Sequence, residues 1–449
     1  MPVVDVPDTS FEKYYLIAFD KDGQERSDDP DGLMSQKVLD ALSQNAITDV
    51  FLISHGWLGD VPAARRQYDA WIGAMANSQD DIQAMKNLRP DFNPLIIGLH
   101  WPSKPFGDEA LDASFSLGSS GTVNAESLVE NYATEVSDTQ ATRDAFKDIF
   151  EAENTLQTAY QTLFREACLS DTNSHPADWE ASEPFMGIPS SASLPKTTEG
   201  DVNFGEDMSF GIDGSTLTSV QNAILKIPRM ASYWKMKNLA RQIGQTSGFD
   251  LLTKLQKSTN ETVRFHLIGH SFGTIVVSAT LRGPEKTSQL VRPVDSLSLI
   301  QGAVSLWSYC SDIPKRDNLT GYFYPLISEK KVNGPIITTL SKYDRAVKDM
   351  YPLASKAGLV AGKDIDFDVN FGGVNYPEVG GIGTYGLQGP GLDVNDALMK
   401  PKNKAYKFRA GFIYNLNSDE FIQDGKNDAH SAIAKPEVAH AVWSAALGN

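Results

Sequence analysis

A serine between two glycines is the first place where residue types and spacing in this sequence suggest chemistry. Gly269, Ser271 and Gly273 form the pattern Gly-x-Ser-x-Gly, with an apolar run before it and a helix-compatible apolar run after it. A strand, a sharp turn and a helix in that order would hold the serine hydroxyl clear of a sheet as a nucleophile. Glycine suits the flanking positions because a side chain there would collide with the neighbouring strand or helix. The alternative is a surface turn that happens to be flanked by glycines.

The sequence Gly-His-Ser-Phe-Gly at residues 269–273 resembles the nucleophile elbow of the α/β-hydrolase superfamily, in its lipase and esterase-like form. The resemblance covers the sheet-forming parts of the chain, roughly residues 45–105, 217–350 and 405–449. It implies a single α/β-hydrolase domain over residues 1–449. That domain would have a mostly parallel central sheet flanked by helices, together with a cap built from helices and loops.

By the same resemblance, a His-Gly pair after an early strand marks a loop that contributes to an oxyanion hole. His55 and Gly56 follow the apolar run 49–54, which is typical of a strand buried on both faces of a parallel sheet. The resemblance assigns the oxyanion-binding amides to Trp57 and Phe272, and we expect their side chains to line the acyl pocket. The residues expected to contact substrate nearby are His55, Gly56 and His270. The alternative is a plain strand-to-helix loop with a buried tryptophan.

The superfamily places its triad acid shortly after a late strand and its base in a loop before the terminal helix. Asp344 and His430 occupy these positions, which gives the chain order Ser271, Asp344, His430. The imidazole would take the serine proton, and the carboxylate would orient the imidazole and stabilise its cation. The alternative role for Asp344 is to cap the next helix. The last strand is predicted over residues 407–415, and His440, inside the terminal helix, is predicted to be a packing or surface residue.

Two long segments match nothing in the superfamily pattern. Residues 106–247 are predicted to form an inserted cap or lid, because residues 122–175 lack glycine and proline and include apolar residues at helical spacing. Within it, residues 169–215 are rich in Ser, Pro, Gly, Asp and Thr, and they are either a lid over the site or a surface loop. The second, Gly-rich insertion covers residues 352–404.

Charge, hydropathy and cysteine content limit the classes of binding partner and the cellular compartment that we expect for this chain. The formal charge of −17 argues against nucleic acid and anionic membrane surfaces as binding partners, because both attract positively charged proteins. No run of apolar residues is long enough to predict a membrane span. The N-terminus lacks the basic and apolar regions of a signal peptide, so we expect a cytoplasmic protein. The alternative is export by a route that needs no N-terminal signal. Cys168 and Cys310 lie far apart and predict buried or free thiols rather than a disulfide framework or a metal site.

Together these features predict a serine hydrolase that cleaves carboxylic esters, with acyl lipids among the candidate substrates. The reaction would pass through an acyl-enzyme and would need neither a cofactor nor a metal. A serine nucleophile speaks against haloalkane dehalogenase and epoxide hydrolase chemistry, which in this superfamily uses an aspartate. Two alternatives stay open at this point: a peptidase or amidase on the same triad, and a binding module with a silent triad. The acyl group, the leaving group and the oligomeric state are not predicted.

Overall fold

The structure, a computed structural model, describes only part of the chain. The described residues are 3–5, 13–27, 32–57, 59–103, 130, 133, 139–150, 162, 163, 166, 235–284, 289–350, 369–423 and 429–448. The predicted lid stretch 169–215 and Cys168 lie outside these residues, so the lid hypothesis stays a prediction. None of the helices in the described ranges is long and apolar enough to cross a membrane.

A nine-stranded sheet, parallel except at one edge, forms the centre of the described structure. Its strands are β1 (Val3–Asp5), β2 (Lys13–Ala18), β3 (Asp49–Ser54), β4 (Pro94–His100), β5 (Arg264–His270), β6 (Ser296–Ile300), β7 (Ile336–Leu340), β10 (Val394–Leu398) and β11 (Ile413–Asn417), while β8 (Val369–Phe371) and β9 (Val374–Tyr376) form a separate hairpin. The order across the sheet is β1-β2-β4-β3-β5-β6-β7-β11-β10, and only β1 runs antiparallel to its neighbour. The predicted α/β class with a mostly parallel sheet is therefore confirmed.

Helices cover both faces of this sheet. The described helices are α1 (Met34–Gln44), α2 (Val61–Ala76), α3 (Gln79–Leu88), α4 (Gln140–Phe150), α5 (Phe249–Lys257), α6 (Gly273–Arg282), α7 (Pro325–Ser328), α8 (Ile382–Tyr385) and α9 (Pro436–Leu447), and residues 235–243 are helical as well. Shorter π-helical and 3₁₀ turns occupy Gly244–Gly248, Ala346–Met350 and Ala429–Ser431.

Alternation along β3 shows why the sheet needs helices on both sides. Val50 and Leu52 belong to one buried apolar cluster, which includes residues of α1, α5 and α6. Phe51 and Ile53 belong to a second cluster, which includes residues of α2, α3 and α9. Successive side chains of a strand point to opposite faces, so an uninterrupted apolar run is stable only when both faces are covered. Burying each such side chain contributes roughly 1.5–3 kcal/mol.

The last strand begins later than the sequence pattern predicts. β11 starts at Ile413, not at residue 407, because Gly411 adopts a left-handed turn (φ 78°) ahead of it. Phe408, predicted to be in the strand, stacks instead on the ring of Tyr406 at 4.5 Å and packs against Tyr414 at 4.7 Å. The apolar residues before Gly411 are thus buried as an irregular segment and not as a pleated strand.

The described part of the predicted second insertion, residues 369–404, contributes directly to the sheet. Its strand β10 pairs in parallel with β11 and forms the sheet edge. Its short helix α8 lies beside the end of β7, where the Gly383 amide donates to the Gly302 carbonyl and the Gly383 carbonyl accepts from the Ser341 amide, both at 2.9 Å. These bonds bring α8 to the end of the sheet where the candidate catalytic residues lie.

Candidate active site

Ser271 occupies the sharp turn that the sequence predicts between β5 and α6. Its backbone is left-handed, with φ of 56°, a conformation that costs a non-glycine residue of order 1–3 kcal/mol and clusters at functional sites. The end of β6 holds this turn in place. The Ser271 amide donates to the Ile300 carbonyl, and the Ala303 amide donates to the Ser271 carbonyl, both at 3.2 Å. Hydrogen bonds to residues after and at the end of β6 therefore stabilise this turn, in addition to the local preferences of its own residues.

The two glycines of the elbow lie where no side chain fits. A Cβ added to Gly269 would lie 2.5 Å from the Gly273 carbonyl oxygen. A Cβ added to Gly273 would collide with the carbonyl oxygens of Ser54 and His55, at the end of β3. Close backbone packing between the strands and α6, and not only turn geometry, therefore requires glycine at both positions.

The His-Gly loop after β3 lies directly against the serine. A Cβ added to Gly56 would lie 2.6 Å from Ser271 Cβ and 3.1 Å from Ser271 Oγ. The Gly56 carbonyl is held by His55 Nδ1 at 2.8 Å and by the Ser103 hydroxyl at 2.9 Å. In a trans peptide the carbonyl and the following N–H point in opposite directions, so the Trp57 N–H points away from His55 and Ser103. The oxyanion role of Trp57 stays a prediction.

The side chain of His55 is buried and bonded to protein on both ring nitrogens. Nδ1–H donates to the Gly56 carbonyl, while Nε2 lies 2.9 Å from His100 Nδ1 and accepts from the Trp101 amide at 3.3 Å. The Trp101 ring stacks on the imidazole with a 7° interplanar angle. Burial, and then the neighbouring His100, lower the pKa of His55 to about 3, so the ring is neutral. Substrate contact by His55 and Gly56 stays a prediction.

The rings of Trp57 and Phe272, whose amides are the predicted oxyanion donors, lie close together. Their centroids are 5.9 Å apart and tilted by 36°. Phe272 is buried and belongs to the same apolar cluster against which the partly buried Trp57 packs. Their proximity brings the His-Gly loop and the elbow together, which is what two donors to one oxygen require.

His430 and Asp344, predicted as base and acid, form a hydrogen-bonded pair. His430 Nδ1 lies 2.9 Å from Asp344 Oδ2, and the carboxylate is fully buried whereas the imidazole keeps 14% of its side chain exposed. The other carboxylate oxygen, Oδ1, accepts the Val347 amide at 2.9 Å and so caps the turn that follows. Capping and orienting a histidine are therefore compatible roles, carried by the two oxygens of one side chain.

His270, the residue before the serine, links the elbow to the loop that carries His430. Its Nε2–H donates to the His430 carbonyl at 2.9 Å, and its Nδ1 accepts from Gln67 at 2.7 Å. The two imidazole rings lie 4.9 Å apart. Burial, and then the charge of a protonated His430, lower the pKa of His270 well below its ordinary value. His270 thus stays neutral and anchors the His430 loop, while its predicted contact with substrate stays a prediction.

Gln301 is a polar residue at this site that the sequence reasoning missed. It follows β6 directly, is fully buried, and donates from Nε2 to Asp344 Oδ2 at 2.8 Å. The one available signal was its position, since a polar residue just after a buried parallel strand lies at the edge where strand ends meet.

The opposite end of the sheet holds a second Ser-His-Asp arrangement. His266 Nδ1 lies 2.8 Å from Ser296 Oγ, and its Nε2 lies 3.1 Å from Asp49 Oδ1. All three side chains are at most 2% exposed, and Arg89 neutralises Asp49 at 2.7 Å. Burial lowers the pKa of His266, partly offset by Asp49. A serine sealed from solvent cannot meet a substrate, so this arrangement is structural.

Within the described ranges, the structure contains neither a cluster of potential metal ligands nor an activated thiol. No three His, Cys, Asp or Glu side chains there lie together as metal ligands would. Cys310 carries a free, buried thiol whose pKa is raised to about 11 by burial, so it is not an activated nucleophile.

Comparisons with other proteins leave the chain's own geometry as the guide to its function. No protein-family model, curated protein or solved structure matches this chain. A function is therefore best inferred from the elbow at Ser271 and from the Asp344–His430 pair that His270 connects to it.

Proposed function

We propose that this chain is a serine hydrolase of the α/β-hydrolase type that cleaves carboxylic esters through an acyl-enzyme. Ser271 is the nucleophile, His430 the general base and acid, and Asp344 the carboxylate that orients it. One observation carries the proposal: the buried Asp344 carboxylate accepts from His430 on a loop that is hydrogen-bonded to the elbow residue beside the serine. A strained turn presenting a serine next to an oriented imidazole is the arrangement that nucleophilic catalysis needs.

In the first half-reaction His430 Nε2 takes the Ser271 proton as Oγ attacks the ester carbonyl. The tetrahedral oxyanion accepts hydrogen bonds from the Trp57 and Phe272 amides, and the imidazolium then gives its proton to the departing alcohol. In the second half-reaction His430 takes a proton from water, which attacks the acyl-enzyme. Collapse of that intermediate releases the carboxylic acid and returns the proton to Ser271.

The surrounding charges suit this cycle. The imidazolium that forms twice per turnover is stabilised by Asp344 at 2.9 Å in a buried setting, where such an ion pair is worth more than in water. His55 and His270 are neutral, so neither adds positive charge that would oppose protonation of His430. An Asp344→Asn variant should lose about 10⁴-fold in kcat, mainly because the imidazole is left in the wrong tautomer.

The decisive experiment concerns the serine. Ser271→Ala should lower kcat by at least about 10³-fold on the best ester of a chemically diverse panel, while its unfolding transition stays close to wild type. A fluorophosphonate probe should label the wild-type chain at Ser271, identified by peptide mass spectrometry, and should leave Ser271→Ala unlabelled. Near-normal turnover in Ser271→Ala, or a wild-type chain that neither reacts with the probe nor cleaves any ester, would reject the assignment and favour a silent binding module.

The base is tested against a second histidine in the same part of the chain. His440, predicted to be a packing or surface residue, is buried in α9, with Nδ1 2.6 Å from Asp81 Oδ1 and Nε2 3.0 Å from the Lys404 carbonyl. His430→Ala should be about as damaging to kcat as Ser271→Ala, whereas His440→Ala should alter kcat by only a few-fold. The opposite ranking would show that the terminal loop does not supply the base.

Amide substrates in the same panel separate an esterase from a peptidase or amidase. The triad itself is shared by both, so the preference is set by how well the leaving amine or alcohol is held and protonated. The ratio of kcat/KM for an ester and an amide with the same acyl group decides between them.

A further inference from the structure

Gln301 stands out because its backbone and side chain are both held in an unusual way at the triad. It has a left-handed backbone, with φ of 43°, and is fully buried directly after β6. Its amide N–H donates to the Thr339 hydroxyl at 2.9 Å on the neighbouring strand β7. Non-glycine residues adopt this conformation rarely, and they keep it only where surrounding contacts enforce it.

The side-chain amide of Gln301 can be oriented in only one way. Nε2 faces Asp344 Oδ2 at 2.8 Å and the Gly383 carbonyl at 3.3 Å, and neither oxygen can donate, so the NH₂ group must point toward them. Oε1 lies 2.9 Å from the Thr339 hydroxyl. That hydroxyl already accepts the Gln301 N–H, so its own proton is directed to Oε1. The backbone N–H, Nε2 and Oε1 of Gln301 therefore all belong to one hydrogen-bond network.

The important contact is the one to Asp344 Oδ2, because His430 uses the same oxygen. Oδ2 receives His430 Nδ1 at 2.9 Å and Gln301 Nε2 at 2.8 Å, while Oδ1 receives the Val347 amide. A second donor on Oδ2 draws on the charge that would otherwise act on the imidazolium alone. It also prevents the carboxylate from rotating away from His430.

We propose that Gln301 is the positioning residue of the triad, fixing the Asp344 carboxylate and moderating its hold on the protonated form of His430. Gln301 thereby sets the pH above which His430 is free to accept the Ser271 proton. This inference rests on the proposed function. A purely structural Gln301 would affect the stability of the fold but not the pH dependence of the rate at which Ser271 reacts.

The experiment measures the rate at which a fluorophosphonate probe modifies Ser271 as a function of pH, in wild type, Gln301→Met and Gln301→Glu. The probe reports serine nucleophilicity without knowledge of the natural substrate. Gln301→Met should lower the plateau rate by about tenfold or more and move the acid limb upward by at least about half a pH unit. Gln301→Glu should move it further, because a second carboxylate beside Asp344 holds the proton on His430 more tightly.

Gln388→Met is the matched control. Gln388 is also buried, and its Nε2 donates at 3.0 Å to the carbonyl of Tyr385, in α8, instead of to the carboxylate. It should lose stability without a change in the pH profile. Should Gln301→Met fail to fold, Thr339→Val takes its place, since it removes the hydroxyl that fixes the Gln301 amide and should shift the limb in the same direction by less.

The outcomes separate this inference from the function on which it rests. A wild-type chain that the probe does not modify rejects the serine hydrolase, and Gln301 with it. A wild-type chain that is modified at Ser271, with superimposable pH profiles in the Gln301 variants, rejects the positioning role alone. An equal shift in Gln388→Met would overturn it as well, because the effect would then be general to the loss of a buried amide.

Discussion

Adding one methyl group at Gly56 tests whether the His-Gly loop and the elbow form a single catalytic unit. In Gly56→Ala the new Cβ would lie 2.6 Å from Ser271 Cβ, 3.1 Å from Ser271 Oγ and 3.2 Å from the His270 carbonyl oxygen. Ser271 Cβ cannot yield, because it belongs to a left-handed turn that is hydrogen-bonded to Ile300 and Ala303. The loop must therefore move instead.

The size of that movement follows from van der Waals contact. Carbon atoms pack at about 3.5–4.0 Å, so the loop has to retreat by roughly 1 Å and carries the Trp57 amide with it. A misplacement of about 1 Å of a catalytic group costs roughly 10²-fold in rate. Overpacking of this kind also lowers the free energy of unfolding by about 1–3 kcal/mol. We therefore expect Gly56→Ala to fold with reduced stability and to lose about 10²-fold in kcat.

Gly73→Ala provides the control within the same chain. Gly73 lies inside α2, and a Cβ there would meet nothing within 4 Å. Alanine is a better helix former than glycine, so the free energy of unfolding of this variant should rise by about 0.5–1 kcal/mol and its kcat should not change. Both variants are assayed by ester hydrolysis at saturating substrate and by urea unfolding. A Gly56→Ala variant with wild-type kcat would refute the hypothesis that this loop supplies an oxyanion donor at the serine.

Two further predictions concern pH and stability. Burial is the main cause that lowers the pKa values of His55, His266 and His270. Below the ordinary histidine pKa of about 6.5, the unfolded chain therefore binds more protons at these residues than the folded chain does. The free energy of unfolding should fall as pH drops below that value, by up to about 1.4 kcal/mol per pH unit for each histidine. Urea titrations across that range check this, and a flat dependence would contradict it. His440 has the opposite sign: burial opposes its charge, but Asp81 raises its pKa above the ordinary value, so its contribution is full below about pH 6.5 and is lost as pH rises through the folded pKa. His440→Ala should therefore destabilise the protein more in acid than in alkali, and an equal loss at both would exclude the ion pair as the cause.

Much of the local structure could be predicted from the sequence because it depends on residues adjacent in the chain. The run Asp49–Ser54 is a strand with the predicted bounds, and the sharp turn predicted at Ser271 is present, with a left-handed backbone. The terminal helix begins at Pro436, a few residues after His430, as predicted. Apolar runs, glycines and prolines act over a few residues, so their effects are visible without a fold. The predicted start of the last strand was wrong because the left-handed turn at Gly411 interrupts the strand-like pattern ahead of Ile413.

What only the tertiary structure decided is which polar groups meet. Gln301 and Asp344 are 43 residues apart, His430 and Asp344 are 86 apart, and His270 and the His430 carbonyl are 160 apart. The strand order brings them to one end of the sheet, and burial then makes each hydrogen bond obligatory. The same chain forms a second Ser-His-Asp arrangement at Asp49, which no sequence pattern predicted. The two arrangements differ in solvent access and in charge neutralisation, because Arg89 pairs with Asp49 while the imidazole beside Asp344 stays partly exposed. Both properties are set by the packing of distant segments.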